Sequence, residues 1–376
     1  MEPHRPAVAP TELAQHLIAI PSVSGNEADI LTFTEQWFRQ HDFHDVIARP
    51  EFTAGVVRAT TQPARKALIL CGHVDTVAAG DETKWSHSPW EAYIKDGRLY
   101  GLGSGDMKAG VALQMCAAAE YSQSPRQDLD VWCVLVTNEE VDGSGSAAFT
   151  KFFADTTQYQ MANCIIAEPT DNERIEIGHR GNRFVELVFA GESGHASQEQ
   201  HYDSSALPKV VAFLNDLPQL RQELHHAYKH DPLGTPSFTP TKIAPEGTYS
   251  SNKTSAATCV AIDIRTTPPL DDHIESWLDV HAERYGYTWH FAYTPVNSAL
   301  CADDAPILKH LQHIVPKATT TVSLGATDQA FFQDIGVDTV IYGPGDFMLA
   351  HTADESVSLD KLGQTYDAYV ELLKRF

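Results

Sequence analysis

The chain has 376 residues, a length that favours two domains or one domain with a large insertion. Its net charge of −23, from 27 basic and 50 acidic residues, argues against nucleic acid or an anionic membrane surface as a partner. The hydrophobic fraction of 43% and the charged fraction of 20% are typical of a soluble globular protein.

The N-terminal part predicts helices followed by strands. Apolar residues at helical spacing predict a helix from Thr11 to Ile20, and Ser24 to Glu27 matches a capping box that opens a second helix through about Arg39. Val46 to Ala59 and Lys66 to Cys71 predict strands. We expect these elements to be scaffold.

A buried-strand pattern leads directly into a histidine and an aspartate. Five consecutive apolar residues, Ala67 to Cys71, predict a central strand, and His73 and Asp75 follow it. Ligands of open α/β sheets bind at the C-terminal ends of the strands. A histidine held by a carboxylate is the usual arrangement around a catalytic metal, so we expect Asp75 to orient His73.

A glycine-rich loop from Leu99 to Gly105 leads into Asp106 and a long alanine-rich helix that ends near Tyr121. The loop lacks the Lys-Ser/Thr ending of a phosphate-binding loop, and Asp106 would repel an anion there. By itself, Asp106 is most simply a helix N-cap.

Three further buried-strand patterns are followed by acidic residues or a histidine. They are Val131 to Thr137 with Glu139 and Glu140, Cys164 to Ala167 with Glu168, and Asp338 to Tyr342 with His351. Parallel strands separated by helices place their C-terminal ends on one edge of a sheet. We therefore expect these side chains to converge, although they are far apart in sequence.

The region between the third and the fourth of these strands has a different character. Alternating strands and amphipathic helices follow the order β-α-β-β-α-β, which is the ferredoxin-like topology. We predict an α/β domain with a mixed, mainly parallel sheet and helices on both faces, formed by residues 1–179 and 293–376. An α+β ferredoxin-like domain is inserted at residues 180–292.

Two imidazoles and three carboxylates are the candidate metal ligands: His73, Asp106, Glu140, Glu168 and His351. Nitrogen and oxygen ligands without thiolates suit zinc, cobalt or manganese in an open catalytic site. If one carboxylate bridges two divalent ions about 3.5 to 4 Å apart, a bridging hydroxide makes the site neutral and supplies the nucleophile. Glu139 is placed to take the proton of that water and pass it to a leaving amine.

Each of these residues has a simpler interpretation when it is considered alone. A histidine after a strand is more often a surface or core residue, and Glu139 with Glu140 resembles a solvated loop. The joint pattern at the strand ends is what favours a metal site. A serine hydrolase is disfavoured because Ser104, Ser144 and Ser193 all miss the G-x-S-x-G spacing.

The six cysteines include no C-x-x-C pair, which predicts buried free thiols in a reducing cytoplasm and argues against a cysteine zinc site. No apolar run has the length of a membrane span, and Met1 to Pro10 lacks the apolar core of a signal peptide. We therefore expect a cytoplasmic protein.

Five segments together resemble the zinc aminoacylase/carboxypeptidase family, whose members include acetylornithine deacetylase, succinyl-diaminopimelate desuccinylase and carboxypeptidase G. They are Gly72 to Val77, Tyr100 to Lys108, Thr137 to Glu140, Ala167 to Thr170 and Ala350 to Glu355. The resemblance implies a zinc exopeptidase-like fold and two bound divalent ions. Zinc is the expected metal, and cobalt and manganese are the alternatives.

The resemblance also implies roles for the candidate ligands. One ion would be held by His73, Asp106 and Glu168, and the other by Asp106, Glu140 and His351. Asp106 would bridge the ions, Glu139 would be the general base, and Asp75 would lie behind His73.

In this family the inserted domain usually mediates dimerisation and helps to hold the substrate. The segment Gly191 to Ser197 is similar to the one whose histidine, here His195, reaches across the dimer to the tetrahedral oxyanion. Arg180, Asn252 and Arg265 resemble contacts of a substrate carboxylate.

For Arg265 a surface ion pair at a strand end remains the alternative. Gly325 and Thr327 lie in a segment similar to the loop that lines the substrate pocket. The sequence from Gln198 to Ala206 departs from the family pattern of a proline followed by Gly-x-Asn-Ala, which affects the wall nearest the substrate.

The expected function is hydrolysis of the amide bond of an N-acyl amino acid, in the manner of acetylornithine deacetylase, by a homodimer that has no nucleic-acid or membrane partner. Desuccinylation of succinyl-diaminopimelate and cleavage of small peptides by a dipeptidase or carboxypeptidase are the alternatives within this chemistry. A non-catalytic relative that binds amino acids is the alternative outside it. Glu139 favours an enzyme, since a binding protein needs no general base beside a metal-ligating residue.

Overall fold

The computed structural model describes residues 9–247 and 250–376, so most of the proline-rich start of the chain lies outside the described residues. The helices are α1 (Pro10–Ile18), α2 (Ala28–Gln40), α3 (Lys108–Ser122), α4 (Ser144–Thr156), α5 (Gln200–Asp203), α6 (Leu207–Ala227), α7 (Pro268–Asp271), α8 (Ile274–Tyr285), α9 (Pro306–Ile314), α10 (Gln329–Asp334) and α11 (Leu359–Arg375). A 3-10 turn spans Glu82–Lys84.

The strands are β1 (Asp45–Ala48), β2 (Phe52–Val57), β3 (Lys66–His73), β4 (Ile94–Lys95), β5 (Arg98–Tyr100), β6 (Leu129–Val136), β7 (Met161–Ile166), β8 (Arg174–His179), β9 (Gly181–Ala190), β10 (Ser237–Pro245), β11 (Ala257–Thr266), β12 (Tyr287–Phe291), β13 (Ala299–Leu300), β14 (Thr319–Ser323), β15 (Asp338–Ile341) and β16 (Ser356–Ser358).

The largest sheet has nine strands in the order β1-β2-β6-β3-β7-β15-β8-β13, with β14 paired to β8. Its four central strands, β6, β3, β7 and β15, run parallel to one another. All eight residues of β6 are buried, which explains why this strand is apolar on both faces apart from Asp130 near its start. The predicted mixed, mainly parallel sheet is confirmed.

The parallel strands end at one edge of the sheet, where the candidate ligands follow them. His73 is the last residue of β3, and Glu168 comes two residues after β7. Glu139 and Glu140 follow the end of β6 closely, and His351 follows β15 by a longer loop. The strand order therefore brings distant parts of the sequence to one edge.

Two predictions about the N-terminal part are wrong. Val46 to Ala59 forms a hairpin of β1 and β2 and not one strand, because Pro50, which has no N–H, lies in the turn between them. The capping box is also absent, since α2 begins at Ala28 with no side-chain cap. Ser24 Oγ instead donates to Asp75 Oδ2 at 2.8 Å.

The chain divides into two compact units. The first contains residues 1–178, 300–321 and 327–376, and the second contains 179–299 and 322–326, compared with 180–292 expected from the sequence. In the second unit the strands form an antiparallel sheet in the order β10-β11-β9-β12, as a ferredoxin-like topology requires.

The core of the second unit follows from the alternation of its strands. Alternate residues of β9 and β11 are buried, and their apolar side chains pack with those of α6 and α8. Phe213 of α6 makes edge contacts with Phe238, Tyr285 and Tyr287. The inserted unit therefore has a hydrophobic core of its own.

All six cysteines are free, and five of them are buried. Among the described residues, no helix has both the length and the hydropathy needed to cross a bilayer.

Asp130, near the start of β6, is a buried carboxylate that organises one end of the sheet. It accepts hydrogen bonds from the N–H of Ala59 (2.7 Å), Arg58 Nη1 (2.8 Å), Gln62 Nε2 (2.9 Å) and Tyr159 Oη (2.8 Å). Burial by itself would raise the pKa of Asp130, but these donors lower it below its ordinary value.

Asp130→Asn should lower the free energy of unfolding by about 1 to 3 kcal/mol at pH 7. The substitution replaces one accepting carboxylate oxygen with an NH₂ group, which faces hydrogen-bond donors. The pKa is lowered in the folded protein, so this stabilisation is present above the ordinary carboxyl pKa and is lost as the pH falls. Urea unfolding at pH 7 and in acid measures both effects. Asp128→Asn, at a partly exposed aspartate nearby, is the control, and equal stability of wild type and Asp130→Asn at pH 7 would contradict the prediction.

Candidate metal centre

The first cluster of candidate ligands consists of His73, Asp106 and Glu168, whose ligand atoms lie within 4.8 Å of one another. His73 Nε2 lies 3.1 Å from Asp106 Oδ1 and 3.7 Å from Glu168 Oε1. The side chain of His73 is buried at the end of β3. One imidazole and two carboxylates thus surround a single point at the edge of the sheet.

The second cluster consists of Asp106, Glu140 and His351. His351 Nε2 lies 2.9 Å from Glu140 Oε1 and 3.4 Å from Asp106 Oδ2. These carboxylates raise the pKa of His351 to about 10. Asp106 belongs to both clusters, with Oδ1 towards His73 and Oδ2 towards His351.

A tight turn after β6 brings two glutamates back to the edge of the sheet. Asn138 has a left-handed φ of 57°, which asparagine tolerates better than most residues. Its carbonyl accepts hydrogen bonds from the N–H groups of Asp142 (3.0 Å) and Gly143 (2.8 Å). The turn directs Glu140 to the second cluster and leaves Glu139 beside it.

Asp75 connects the ends of β3 and β6. Its Oδ1 accepts the N–H of Glu139 and its Oδ2 accepts the N–H of Glu140, both at 3.2 Å. His73 Nδ1 lies 3.0 Å from the Asp75 carbonyl and 3.5 Å from Oδ1. The main-chain carbonyl of Asp75 is therefore the nearer partner of the imidazole, whereas the sequence had suggested the carboxylate.

The tautomer that follows from this contact suits a metal ligand. When Nδ1 carries the proton and donates to the carbonyl, the lone pair of Nε2 points towards Asp106 and Glu168. Burial lowers the pKa of His73, but the charges of Glu168 and Asp106 outweigh this and raise it well above its ordinary value. The imidazole thus faces concentrated negative charge.

The donor set fits divalent cations. In the part of the chain that the structure describes, buried Glu168 Oε1 has no hydrogen-bond donor, and burial and the charge of Asp106 raise the pKa of this carboxyl well above its ordinary value. A buried carboxylate oxygen without a donor is costly unless a cation compensates it. Nitrogen and oxygen donors without a thiolate are those of zinc, cobalt or manganese sites.

Glu139 lies in a strongly acidic environment. Burial raises its pKa well above the ordinary value, and the charges of Asp328, Glu140 and Asp106 add to this against the opposite effect of His73. Asp328 is itself buried, which raises its pKa to about 7. A positioned carboxylate can accept a proton and later donate it.

The second unit places the predicted substrate residues in two groups. Arg265 donates Nε and Nη2 to Asp263 at 2.9 and 3.1 Å, whereas Arg180 Nη1 donates to the Thr235 carbonyl at 2.9 Å. Burial and the charge of Arg265 lower the pKa of Arg180, which is consistent with two neighbouring guanidinium groups. Arg265 therefore forms the ion pair that was the alternative interpretation.

The other group consists of the exposed loops that carry His195 and Asn252. The Asn252 carbonyl accepts the N–H of Ala196 at 2.9 Å, and His195 Nδ1 lies 2.7 Å from Ser197 Oγ. Asn252 Oδ1 accepts from Ser250 Oγ at 2.7 Å. These loops support one another within the second unit.

The two predicted pocket residues fall on either side of a unit boundary. Gly325 belongs to the second unit and Thr327 to the first. Thr327 Oγ1 accepts the N–H of Gln329 at 3.3 Å, close to the start of α10.

Sequence reasoning missed three contributors to this edge of the first unit. Ser24 was assigned to a helix cap although it bonds Asp75, and no pattern distinguishes these two uses of a serine. Asp328 follows Thr327 directly, but the sequence carries no sign of its burial. Glu355 lies four residues after His351, in a segment that the sequence had already marked. It accepts hydrogen bonds from the glycine-rich loop.

The match to the model of peptidase family M20/M25/M40 covers residues 69–375, well over half of the chain. The chain belongs to this family. Membership identifies it as a hydrolytic enzyme, and the predicted family resemblance is confirmed.

This M20 enzyme is similar to acetylornithine deacetylase from Vibrio parahaemolyticus, with 27% identity over 379 residues that cover 97% of this chain and 98% of that protein. The fold is shared with aminopeptidase PepT from Bacillus cereus, at a TM-score of 0.75 and 15% identity over 96% of both chains. It is also shared with the dinuclear metal-binding peptidase YXEP from Bacillus subtilis, at a TM-score of 0.65 and 12% identity over 97% of both chains.

His351→Ala should lower the metal content of this M20 enzyme after loading with zinc and dialysis, because it removes the imidazole of the second cluster. The bound zinc should fall by about one ion per chain, as measured by mass spectrometry of the metal. His87→Ala is a matched control, since His87 is 42% exposed beside a glutamate and His351 is 46% exposed. Full retention of zinc would remove His351 from the ligand set.

Proposed function

We propose that this enzyme hydrolyses the amide bond of an N-acyl amino acid with the help of two divalent ions. Zinc is the preferred ion, and cobalt and manganese are the alternatives. The observation that carries the proposal is the position of Asp106, whose two oxygens face two separate histidine-carboxylate pairs. A carboxylate shared in this way suits a pair of ions. His73 and Glu168 would complete one set of ligands, and Glu140 and His351 the other.

When bound, such ions supply Lewis acidity towards an amide carbonyl and towards water. The protein's part is to hold the ligands and move a proton. Asp75 fixes the main chain of Glu139 and Glu140, and its carbonyl orients His73. Glu139 would take a proton from water on its carboxylate and deliver it to the leaving nitrogen.

The near full-length similarity to acetylornithine deacetylase supports an N-acyl amino acid as the substrate class. Such a substrate carries a free carboxylate, and a guanidinium is its natural partner. Arg265 is engaged by Asp263, so Arg180 is the better placed of the two arginines to offer hydrogen bonds. Asn252, Gly325 and Thr327 are proposed as further substrate-binding residues.

The second unit is proposed to form a homodimer in which His195 serves the partner's active site by stabilising the tetrahedral oxyanion. His195 is exposed and β10 is an edge strand, which leaves main-chain groups available for an interface. Exposed apolar side chains on this unit include Tyr202, Val211 and Ile243. The six free cysteines support a cytoplasmic location.

The function is tested with zinc- and cobalt-loaded enzyme on N-acetylornithine, N-acetylcitrulline, N-succinyl-diaminopimelate, N-acetylmethionine and simple dipeptides. We expect turnover of an N-acetyl amino acid, and a loss of about 10²- to 10⁴-fold in Glu139→Ala with both ions retained. Glu173→Ala, at an exposed glutamate, is the control.

Turnover of only the succinyl substrate or only dipeptides would transfer the proposal to a desuccinylase or a dipeptidase. Unchanged turnover in Glu139→Ala would contradict the general base. A wild-type protein that binds the amino acids but hydrolyses none of the panel would indicate a binding relative.

The dimer predicts complementation between inactive variants. His195→Ala should lose turnover but keep its metal, and mixing it with Glu139→Ala should restore about a quarter of the wild-type activity, because half of the dimers are mixed and each has one intact site. The variants are mixed after mild dissociation and assayed after reassociation. Activity equal to the sum of the separate variants would show that His195 acts within its own chain.

A further inference from the structure

Glu355 is a buried glutamate, 1% exposed, that binds the glycine-rich loop ahead of Asp106. Its Oε1 accepts the N–H groups of Gly105 (2.7 Å) and Asp106 (3.0 Å), and its Oε2 accepts that of Gly103 (3.1 Å). Its main-chain carbonyl accepts the N–H of Gly101 at 3.0 Å. One residue therefore holds four N–H groups of a six-residue stretch.

Strand pairing brings Glu355 to this loop from about 250 positions away. β16 pairs with β5 in antiparallel register, with Ser356 opposite Tyr100. The residue before Ser356 must then lie opposite the residue after Tyr100, which is where the loop begins. The position of Glu355 is thus set by a small sheet outside the central one.

The loop has little freedom to move away from Glu355. A Cβ added to Gly105 would lie 3.3 Å from Glu355 Oε1, and one added to Gly345 would overlap the Gly105 carbonyl. Gly103 has a φ of +81°, which favours glycine. The loop is consequently held between Glu355 on one side and the turn after β15 on the other.

The bonded loop carries the carboxylate that both clusters share. One of the two N–H groups that Glu355 Oε1 accepts belongs to Asp106 itself, and His351 lies only four residues before Glu355. Glu355 therefore links the main chain of the shared ligand to the segment that carries the second imidazole.

The geometry points to Glu355 as a positioning residue of the metal centre, one that sets Asp106 for both ions through the main chain of the glycine-rich loop. This assignment rests on the proposed function. Partners behind the ligands commonly change metal affinity by about 10- to 100-fold when they are substituted. A glutamate that only secured a loop would change stability without changing metal affinity.

The experiment compares zinc and cobalt binding by metal-free wild type, Glu355→Gln and Asp130→Asn, by calorimetry and by the visible absorption of bound cobalt. Gln keeps the shape of Glu355, but its NH₂ group must meet one of the loop N–H donors. Asp130→Asn is matched, because Asp130 is also 1% exposed and accepts a main-chain N–H. Asp130 lies near the start of β6, about 20 Å along the strand from the end that precedes Glu139 and Glu140.

We expect Glu355→Gln to weaken binding at least about tenfold and to alter the cobalt spectrum. Asp130→Asn should lower the melting temperature with affinity and spectrum unchanged. Wild-type affinity and spectrum in Glu355→Gln, with only a lower melting temperature, would overturn the inference while leaving the metal centre in place. A wild type that binds neither ion would overturn the proposed metal centre, and the inference with it.

If Glu355→Gln does not fold, Glu355→Asp is measured in the same way. It keeps the charge but withdraws the carboxylate by one methylene, so it should weaken binding to a smaller extent. Unchanged affinity in Glu355→Asp, with its melting temperature lowered, would likewise overturn the inference.

Discussion

The first unit depends on the concentration of carboxylates at the C-terminal edge of its central sheet. Asp106 is shared by two clusters, and Glu168 and Glu139 have pKa values raised by burial and by neighbouring negative charge. Such an arrangement is unfavourable in a low-dielectric environment unless cations or protons compensate it. This edge of the sheet is therefore a candidate site for metal ions.

Main-chain hydrogen bonds keep this charged edge in shape. Asp75 accepts the N–H groups of Glu139 and Glu140, and the Glu355 carboxylate accepts those of Gly103, Gly105 and Asp106. Two acidic side chains thus hold the loops that carry other acidic side chains. Their bonds fix the backbone, which leaves the carboxylates of the ligand residues free to face the cluster.

The second unit is built on a different principle. Its antiparallel sheet buries one face against α6 and α8, and its functional candidates lie on exposed loops or as half-buried cations. The pairing of Arg265 with Asp263 shows how such a cation is neutralised locally. The second unit therefore presents its candidate residues near its surface, whereas the first unit contains both candidate metal clusters.

Much of the fold and of the metal cluster was predictable from the sequence. Continuous apolar runs ending in a histidine or a carboxylate have few alternatives to central parallel strands, and the β-α-β-β-α-β order determines the inserted topology. The sequence thereby determined which residues meet at the sheet edge, since parallel strands share one C-terminal edge.

Only the tertiary structure decided how those residues are supported. Ser24 bonds Asp75 in place of capping a helix, the Asp75 carbonyl lies nearer to His73 than its carboxylate does, and Glu355 reaches a loop far away in sequence. These contacts depend on burial and on the pairing of remote strands. Local spacing carries no information about either, because a short polar side chain can bond many partners and its surroundings are fixed only when the chain has folded.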